Sequence, residues 1–402
     1  MIKFLVIEQD LRVSGTSQGI ISRSFLAKLR TSYPDSVIDV VYLKNHPSDD
    51  QLELLPVNNI ETHILNLKVP FFTKWYNKLY WRLFHISLKE RYVHKVYGSY
   101  ISKIDYKKYD HIFIRSAGLD CETLLATKDL PILKKAIITF NEPYPTFWCA
   151  GHVANLTNLE LFRLKNMKEV VKKSKACMAT WFLAQDMQFL YGSQKKIHSL
   201  PHQYDESVFI FNDTSQVFKK SKKVTISYHG ALQFGRNIDI VLEAFSELLN
   251  EDIIIKENAE IILRLKSSDY NRLNNKYSNN KNIKVLEGVN FLNSCYEQKH
   301  LSEINLLLEN GPIYCSALLG KAPLLASFDK PVFVLSPLRS EIGSVIKDER
   351  YIANGENKEE IKSKLKVLVL NILNNEPYTN PFGDYFSDEK FKEQLNEILL
   401  SK

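Results

Sequence analysis

No Cys-x-x-Cys pair occurs in this chain, and its five cysteines, Cys121, Cys149, Cys177, Cys295 and Cys315, are odd in number and scattered. That argues against a disulfide framework or a zinc ribbon and points to a reducing compartment. No window approaches the ~18 apolar residues of a membrane span. The opening MIKFLVIEQD carries too short an apolar stretch for a secretory signal and reads as a first buried strand. A cytoplasmic protein is expected, at most peripheral to the inner membrane surface. Solenoid-period repeats, low-complexity segments and Asp-x-Asp triplets are also missing.

What is present is ordinary globular material, 45% hydrophobic and 25% charged over 402 residues, enough for two domains of under 200 residues each. The net charge of +7 is mild. It suits anionic partners in general and does not single out nucleic acid, none of which is expected.

Short apolar runs alternate with helix-period segments, the signature of βα units on parallel sheets. Strands are predicted at 2–8, 37–43, 60–67, 110–115, 135–140, 175–180 and 196–201, with helices at 17–32, 71–98, 157–173 and 182–190. The pattern then restarts, with strands at 223–229, 260–266, 282–287, 304–308, 331–335 and 350–353. Helices are predicted there at 237–250, 293–300, 315–326, 340–347 and 357–374, and a last amphipathic one lies near the C-terminus. Polar, Lys-rich 205–223 reads as the connection between the two series. The fold class is α/β, two Rossmann-like domains facing a central cleft: 1–205 on the acceptor side, 206–377 binding the nucleotide-sugar, and 378–402 as a tail packing back on the first domain.

Ligands of such sheets sit beyond the carboxyl ends of the strands, so the loops there carry the candidates. After the first strand, Gly15 in DLRVSGTSQG lets a ligand approach a helix N-terminus, though the first glycine of the dinucleotide fingerprint is missing; otherwise this is a turn capped by Ser17. Segment 71–98 interleaves aromatics with Lys74, Lys78, Arg82, Lys89, Arg91 and Lys95. It reads first as a core helix whose cations face water, and second as a basic surface for anionic lipid or a lipid-linked diphosphate. Glu142, in NEPYP, is a carboxylate at a strand end, suited to an acceptor hydroxyl.

The second half offers His229, Gly230, Arg236 and Asn237 at the end of its first strand, where a guanidinium and free N–H groups can hold a diphosphate. Arg264 and Lys266 add positive charge at a neighbouring strand end. Glu309 is placed to bind sugar hydroxyls, Ser316 and Lys321 follow, and Lys321 can neutralise a leaving diphosphate. Ser340 caps a further helix, and Glu341 can reach ribose hydroxyls.

Tyr228-His229-Gly230 with Arg236-Asn237, then Ser316 and Lys321, then Lys330-Pro331, Ser336-Pro337 and Ser340-Glu341 resemble GT-B glycosyltransferases of the family 4 type (group 1). The resemblance covers much of the second half; in the first it touches only the opening strand–loop–helix and the Glu142 loop. It implies transfer of a sugar from a nucleotide-diphosphate sugar to a glycan or lipid-linked acceptor in surface polysaccharide biosynthesis. Retention of configuration and no cofactor or metal are implied with it. Glu142, His229, Arg236 and Lys321 would be catalytic. Gly15, Gly230, Arg236, Asn237, Arg264, Glu309, Ser316, Lys321, Ser340 and Glu341 would bind the donor. Leu324 stands where the family's second carboxylate usually holds the ribose, and Glu341 is the expected substitute. Two alternatives share the architecture, a sugar-nucleotide 2-epimerase and a non-catalytic binding subunit.

Overall fold

The computed structural model describes all residues except 49, 150, 152–154, 193–194, 212–213, 267–268 and 402. The chain divides into two units, one of Met1–Cys149, Val153–Phe209 and Ser387–Lys402, the other of Ala150–His152 and Ile210–Phe386.

The first unit holds a seven-stranded sheet of β1 (Lys3–Glu8), β2 (Val37–Lys44), β3 (Asn59–Ile64), β4 (His111–Arg115), β5 (Ala136–Thr139), β6 (Ala176–Ala179) and β7 (Ile197–Ser199). Its order is β3-β2-β1-β4-β5-β6-β7 and every pairing is parallel. Helices α1 (Ser17–Ser32), α2 (Phe71–Phe84), α3 (Leu88–Ile101), α4 (Glu122–Ala126), α5 (Asn158–Lys173) and α6 (Trp181–Tyr191) connect the strands. A sheet covered on both faces needs strands that are apolar throughout, and β4, β5 and β6 are buried almost end to end. Arg23, fully buried on α1, donates to the carbonyls of Leu11, Gln51 and Val208, so the segment around Val208 is built into this unit.

The second unit contains β8 (Val224–Gly230), β9 (Ala259–Leu265), β10 (Ile283–Glu287), β11 (Ile304–Leu308), β12 (Tyr314–Cys315), β13 (Val332–Ser336), β14 (Arg339–Ser340) and β15 (Ile352–Asn354). Six of these form a parallel sheet in the order β10-β9-β8-β11-β13-β15, and β12 pairs with β14 apart from it. The helices are α7 (Asp239–Glu251), α8 (Ile253–Asn258), α9 (Asp269–Tyr277), α10 (Phe291–Tyr296), α11 (Lys321–Ala326), α12 (Glu341–Val345) and α13 (Lys358–Leu373). The last helix, α14 (Asp388–Leu400), lies with the first unit, where Phe391 meets Phe25 edge-on at 6.0 Å and Asp388 pairs with Lys28 at 2.6 Å.

In each sheet the strand order reverses once. The reversal falls between β1 and β4 in the first unit and between β8 and β11 in the second.

All thirteen predicted strands form, with ends within three residues of expectation. Several helical expectations need correction. Segment 71–98 breaks at His85, whose φ is +53°, and no side chain of α2 is buried, so it is not a core helix. Only Thr73 and Asn77 of α2 are partly covered, and Asn77 accepts the Lys89 N–H at 3.2 Å. The predicted helix 315–326 begins only at Lys321, because Tyr314–Cys315 is drawn into a strand pair with Arg339–Ser340. The cap of α1 is Thr16, whose hydroxyl accepts from Gly19 N, and not Ser17.

Candidate active site

The strand β8 ends in Tyr228-His229-Gly230, and Gly230 has a φ of +144°, a backbone state open chiefly to glycine. The chain then turns through Phe234 and Gly235, both with positive φ, and Phe234 accepts the N–H of Gly311 at 2.8 Å. This turn carries Arg236 back over the strand ends. Its Nε donates to Asn310 Oδ1 at 2.9 Å and its Nη1 to the Ala231 carbonyl at 3.2 Å. Asn310 follows β11, so the guanidinium bridges the two strands at the sheet's reversal, with N–H groups to spare. Asn237 is exposed and its side chain accepts the N–H of Ile240, serving as a turn at the start of α7.

Lys321 opens α11 and is half-buried. Its Nζ lies 5.0 Å from the Tyr228 ring centroid and has no hydrogen-bond acceptor among the described residues. Burial, then the positive charges of Arg236 and Lys266, push this ammonium down to about 7. Two cations with little counter-charge at a strand-order reversal form a site built for an anion.

Three buried polar atoms nearby have no hydrogen-bond partner among the described residues: His229 Nε2, Glu309 Oε1 and Ser316 Oγ. Buried polar groups are ordinarily satisfied, so three orphans in one region call for a ligand or solvent there. The other oxygen of Glu309 accepts from Ser340 Oγ at 2.5 Å. Burial raises this carboxyl to about 7 against the opposing pull of the Ser340 and Ser336 hydroxyls. Ser340 caps α12 as the sequence implied, accepting Gly343 N at 2.8 Å.

His229 is buried, and burial with the charges of Lys321 and Arg264 holds its imidazole well below the ordinary range, so it is neutral. Its Nδ1 lies 3.0 Å from Ser294 Oγ, which also accepts from Gln298 at 3.1 Å. In the tautomer in which Ser294 donates to Nδ1, the ring proton sits on Nε2 and that nitrogen is a donor; in the other, Nδ1–H donates to Ser294 and Nε2 is an acceptor.

Arg264 departs from its expected part. Its guanidinium is committed to Glu297 through two bonds and to the carbonyls of Glu287 and Gln216, and so is held within the fold. Glu341 is buried and accepts from the Tyr385 hydroxyl at 2.7 Å. Leu324 is buried as well, so its side chain belongs to the core. The residues missed from sequence are Asn310, Ser294 and Tyr385, while Tyr228 was named in the resembling motif without a role of its own. Of these only Asn310 carried a signal, as a polar residue two places beyond the end of the β11 run.

In the first unit, Gly15 has a φ of +90° in a loop knit by Asp10, which accepts from Arg12 Nη2 at 2.6 Å and Thr16 Oγ1 at 2.8 Å. Glu142 is partly exposed just beyond β5. A cavity of about 780 Å³ lies far along the same sheet by β6 and β7, ringed by Lys168, Lys172, Lys175, Lys195 and Lys196, and includes none of the candidates.

No protein-family model matches the chain, and no curated protein does. Solved structures do. Sucrose-phosphate synthase from Thermosynechococcus elongatus aligns with a TM-score of 0.61 at 10% identity, covering 99% of this chain and 95% of its own. The lipopolysaccharide outer core galactosyltransferase WaaB gives 0.56 at 12% identity over 100% and 99%. UDP-GlcNAc 2-epimerase from Neisseria meningitidis bound to UDP-GlcNAc gives 0.55 at 13% identity over 99% and 100%. The chain has the GT-B fold. Within that GT-B fold, the cations Arg236 and Lys321 sit at the reversal point of the second sheet.

Proposed function

We propose that this GT-B protein is a glycosyltransferase that moves a sugar from a nucleoside-diphosphate sugar to a glycan or lipid-linked acceptor. One observation carries the reading: Arg236, anchored by Asn310, and Lys321, over the Tyr228 ring, bring two cations to the β8–β11 reversal. Similarity in fold to sucrose-phosphate synthase and to the galactosyltransferase WaaB supports it, and similarity to the UDP-GlcNAc 2-epimerase supports the second reading below equally.

Bond breaking at the anomeric carbon leaves an oxocarbenium-like sugar and a diphosphate gaining negative charge, as in glycosidic chemistry generally. Arg236 and Lys321 offset that charge where it develops. Glu309 orients sugar hydroxyls through its unfilled oxygen, and the Ser316 hydroxyl and, in the tautomer with Ser294 donating, the Nε2–H of His229 donate to donor oxygens. Glu341 holds ribose, Ser340 fixes Glu309, and Gly230, Asn237 and Gly15 leave backbone open to the ligand. Arg264 is a positioning residue, holding Glu297 behind His229. Glu142 receives the acceptor proton. Retention of configuration, independence from metal, a surface-polysaccharide acceptor and a cytoplasmic setting complete the proposal.

A 2-epimerase is the second reading. It is favoured by Glu309 and Lys321 both poised near neutrality, which suits proton transfer on a bound donor. The test is incubation with a panel of UDP-, GDP- and dTDP-sugars, with and without EDTA. Slow EDTA-insensitive donor hydrolysis supports the transferase. Conversion into a second sugar nucleotide supports the epimerase, and absence of any binding overturns both in favour of an inert module.

A further inference from the structure

Surface helices normally turn their apolar face to the core and their polar face to water. Helix α2 does the reverse. Its partly covered positions are Thr73 and Asn77, one turn apart and both polar. Outward, in a row one turn apart, stand Phe71, Trp75, Leu79 and Leu83, exposed by 75%, 59%, 56% and 62%. Phe72, Tyr76 and Phe84 are exposed beside them.

Next to that row runs a second, of Lys74, Lys78 and Arg82, also spaced by four. Between Glu61 and Glu90 there is no carboxylate, while Lys68 and Lys89 extend the positive charge at both ends. An exposed apolar patch this continuous marks an interaction site. Its fourteen residues rise only ~21 Å, too short to cross a bilayer but suited to lying in its interface. Among the described residues no helix is long and apolar enough to span a membrane.

We infer that α2 is an interfacial anchor that docks the first unit on an anionic bilayer. The aromatic row enters the headgroup–acyl boundary, where Trp and Tyr are most at home, and the basic row meets the lipid phosphates. Charge decides for lipid over a second copy of the chain. A two-fold pairing of α2 with itself would set Lys74, Lys78 and Arg82 near their own images, with no carboxylate in the segment to offset them. The inference is independent of the reaction proposed above, because it uses none of the same residues.

The test is co-sedimentation of the full chain with vesicles of phosphatidylcholine containing about one-third phosphatidylglycerol, and with phosphatidylcholine alone. Strong binding to the anionic vesicles and weak binding to the neutral ones are expected. Affinity should fall at least about tenfold in Trp75→Ser/Leu79→Ser/Leu83→Ser and likewise in Lys74→Glu/Lys78→Glu/Arg82→Glu. A second measurement needs no disruptive variant: lipids brominated in the acyl chain should quench the tryptophan emission of the wild type, and much less that of Trp75→Phe/Trp81→Phe. No sedimentation with anionic vesicles, or binding that neither triple variant weakens, overturns the anchor. So does a concentration-dependent dimer that the serine variant dissolves while vesicles capture nothing.

Discussion

A β-carbon added to Gly230 would stand 2.5 Å from Nζ of Lys321, nearer than real β-carbons come to any non-bonded atom. The strand end is thus shaped around the ammonium, and the φ of +144° already disfavours any other residue there. Gly230→Ala should displace Lys321, weaken nucleoside diphosphate binding about tenfold, and cost ~1 kcal/mol or more of stability. Calorimetric titration with UDP, GDP and dTDP and a denaturant melt measure the two effects. Unchanged affinity in the variant would separate Lys321 from the ligand.

Lys321 is also the source of a pH dependence. Unliganded, it is held at about 7, and a bound diphosphate stabilises the protonated form. Binding therefore takes up a proton above pH 7, and Kd should rise about tenfold per pH unit from there until the liganded group titrates. Lys321→Arg stays charged throughout, so its Kd should be flat over the same range. Titrations in buffers of different ionisation enthalpy read the proton uptake directly.

Glu309 should trade stability for function. Its carboxyl, raised from 4.5 to about 7, binds a proton more readily folded than unfolded. Stability from this group is present below pH 4.5, declines between 4.5 and 7, and at pH 8 has become a cost of about 3 kcal/mol. Glu309→Gln removes that cost, keeps an oxygen for Ser340, and should melt higher at pH 8 with little change at pH 4. Turnover of the donor should fall at least about a hundredfold. A variant that turns over normally would remove Glu309 from the site.

Most of the fold was legible because parallel strands covered on both faces must be apolar throughout: runs such as Ile304–Leu308 admit few other readings. Periodicity in α2 was equally clear, but it shows only that the two faces differ and not which face meets the protein, so the helix was read inside out. Arg264 failed for another reason. Its partner Glu297 lies 33 residues on, and nothing local betrays that an arginine at a strand end is already spoken for. His229 was found as a residue, but its neutral state was not legible, since that comes from burial and from the charges of Lys321 and Arg264. Ser316 to Gly320 was expected to be helical, but Tyr314–Cys315 just upstream is drawn into the β12–β14 pairing and the helix starts only at Lys321.

Asn310 holds Arg236 in place, so the two should act as one unit. Asn310→Ala and Arg236→Ala should each raise the donor KM about tenfold, and the double variant should lose little more. Strict additivity in that cycle would mean that Arg236 does not depend on Asn310.

The proposed function gives Glu341 the ribose contact left open by Leu324. Glu341→Gln should weaken a ribonucleoside diphosphate several-fold and inorganic pyrophosphate hardly at all. Equal affinity of wild type and variant for the nucleotide would leave the ribose to other residues.

The central claim concerns where a pyrophosphate is gripped, and a crystal structure with UDP bound addresses it most directly. The expected result places diphosphate oxygens within hydrogen-bonding distance of both Arg236 and Lys321, beyond the ends of β8 and β11. A diphosphate bound elsewhere, or bound there with both side chains turned away, would contradict it.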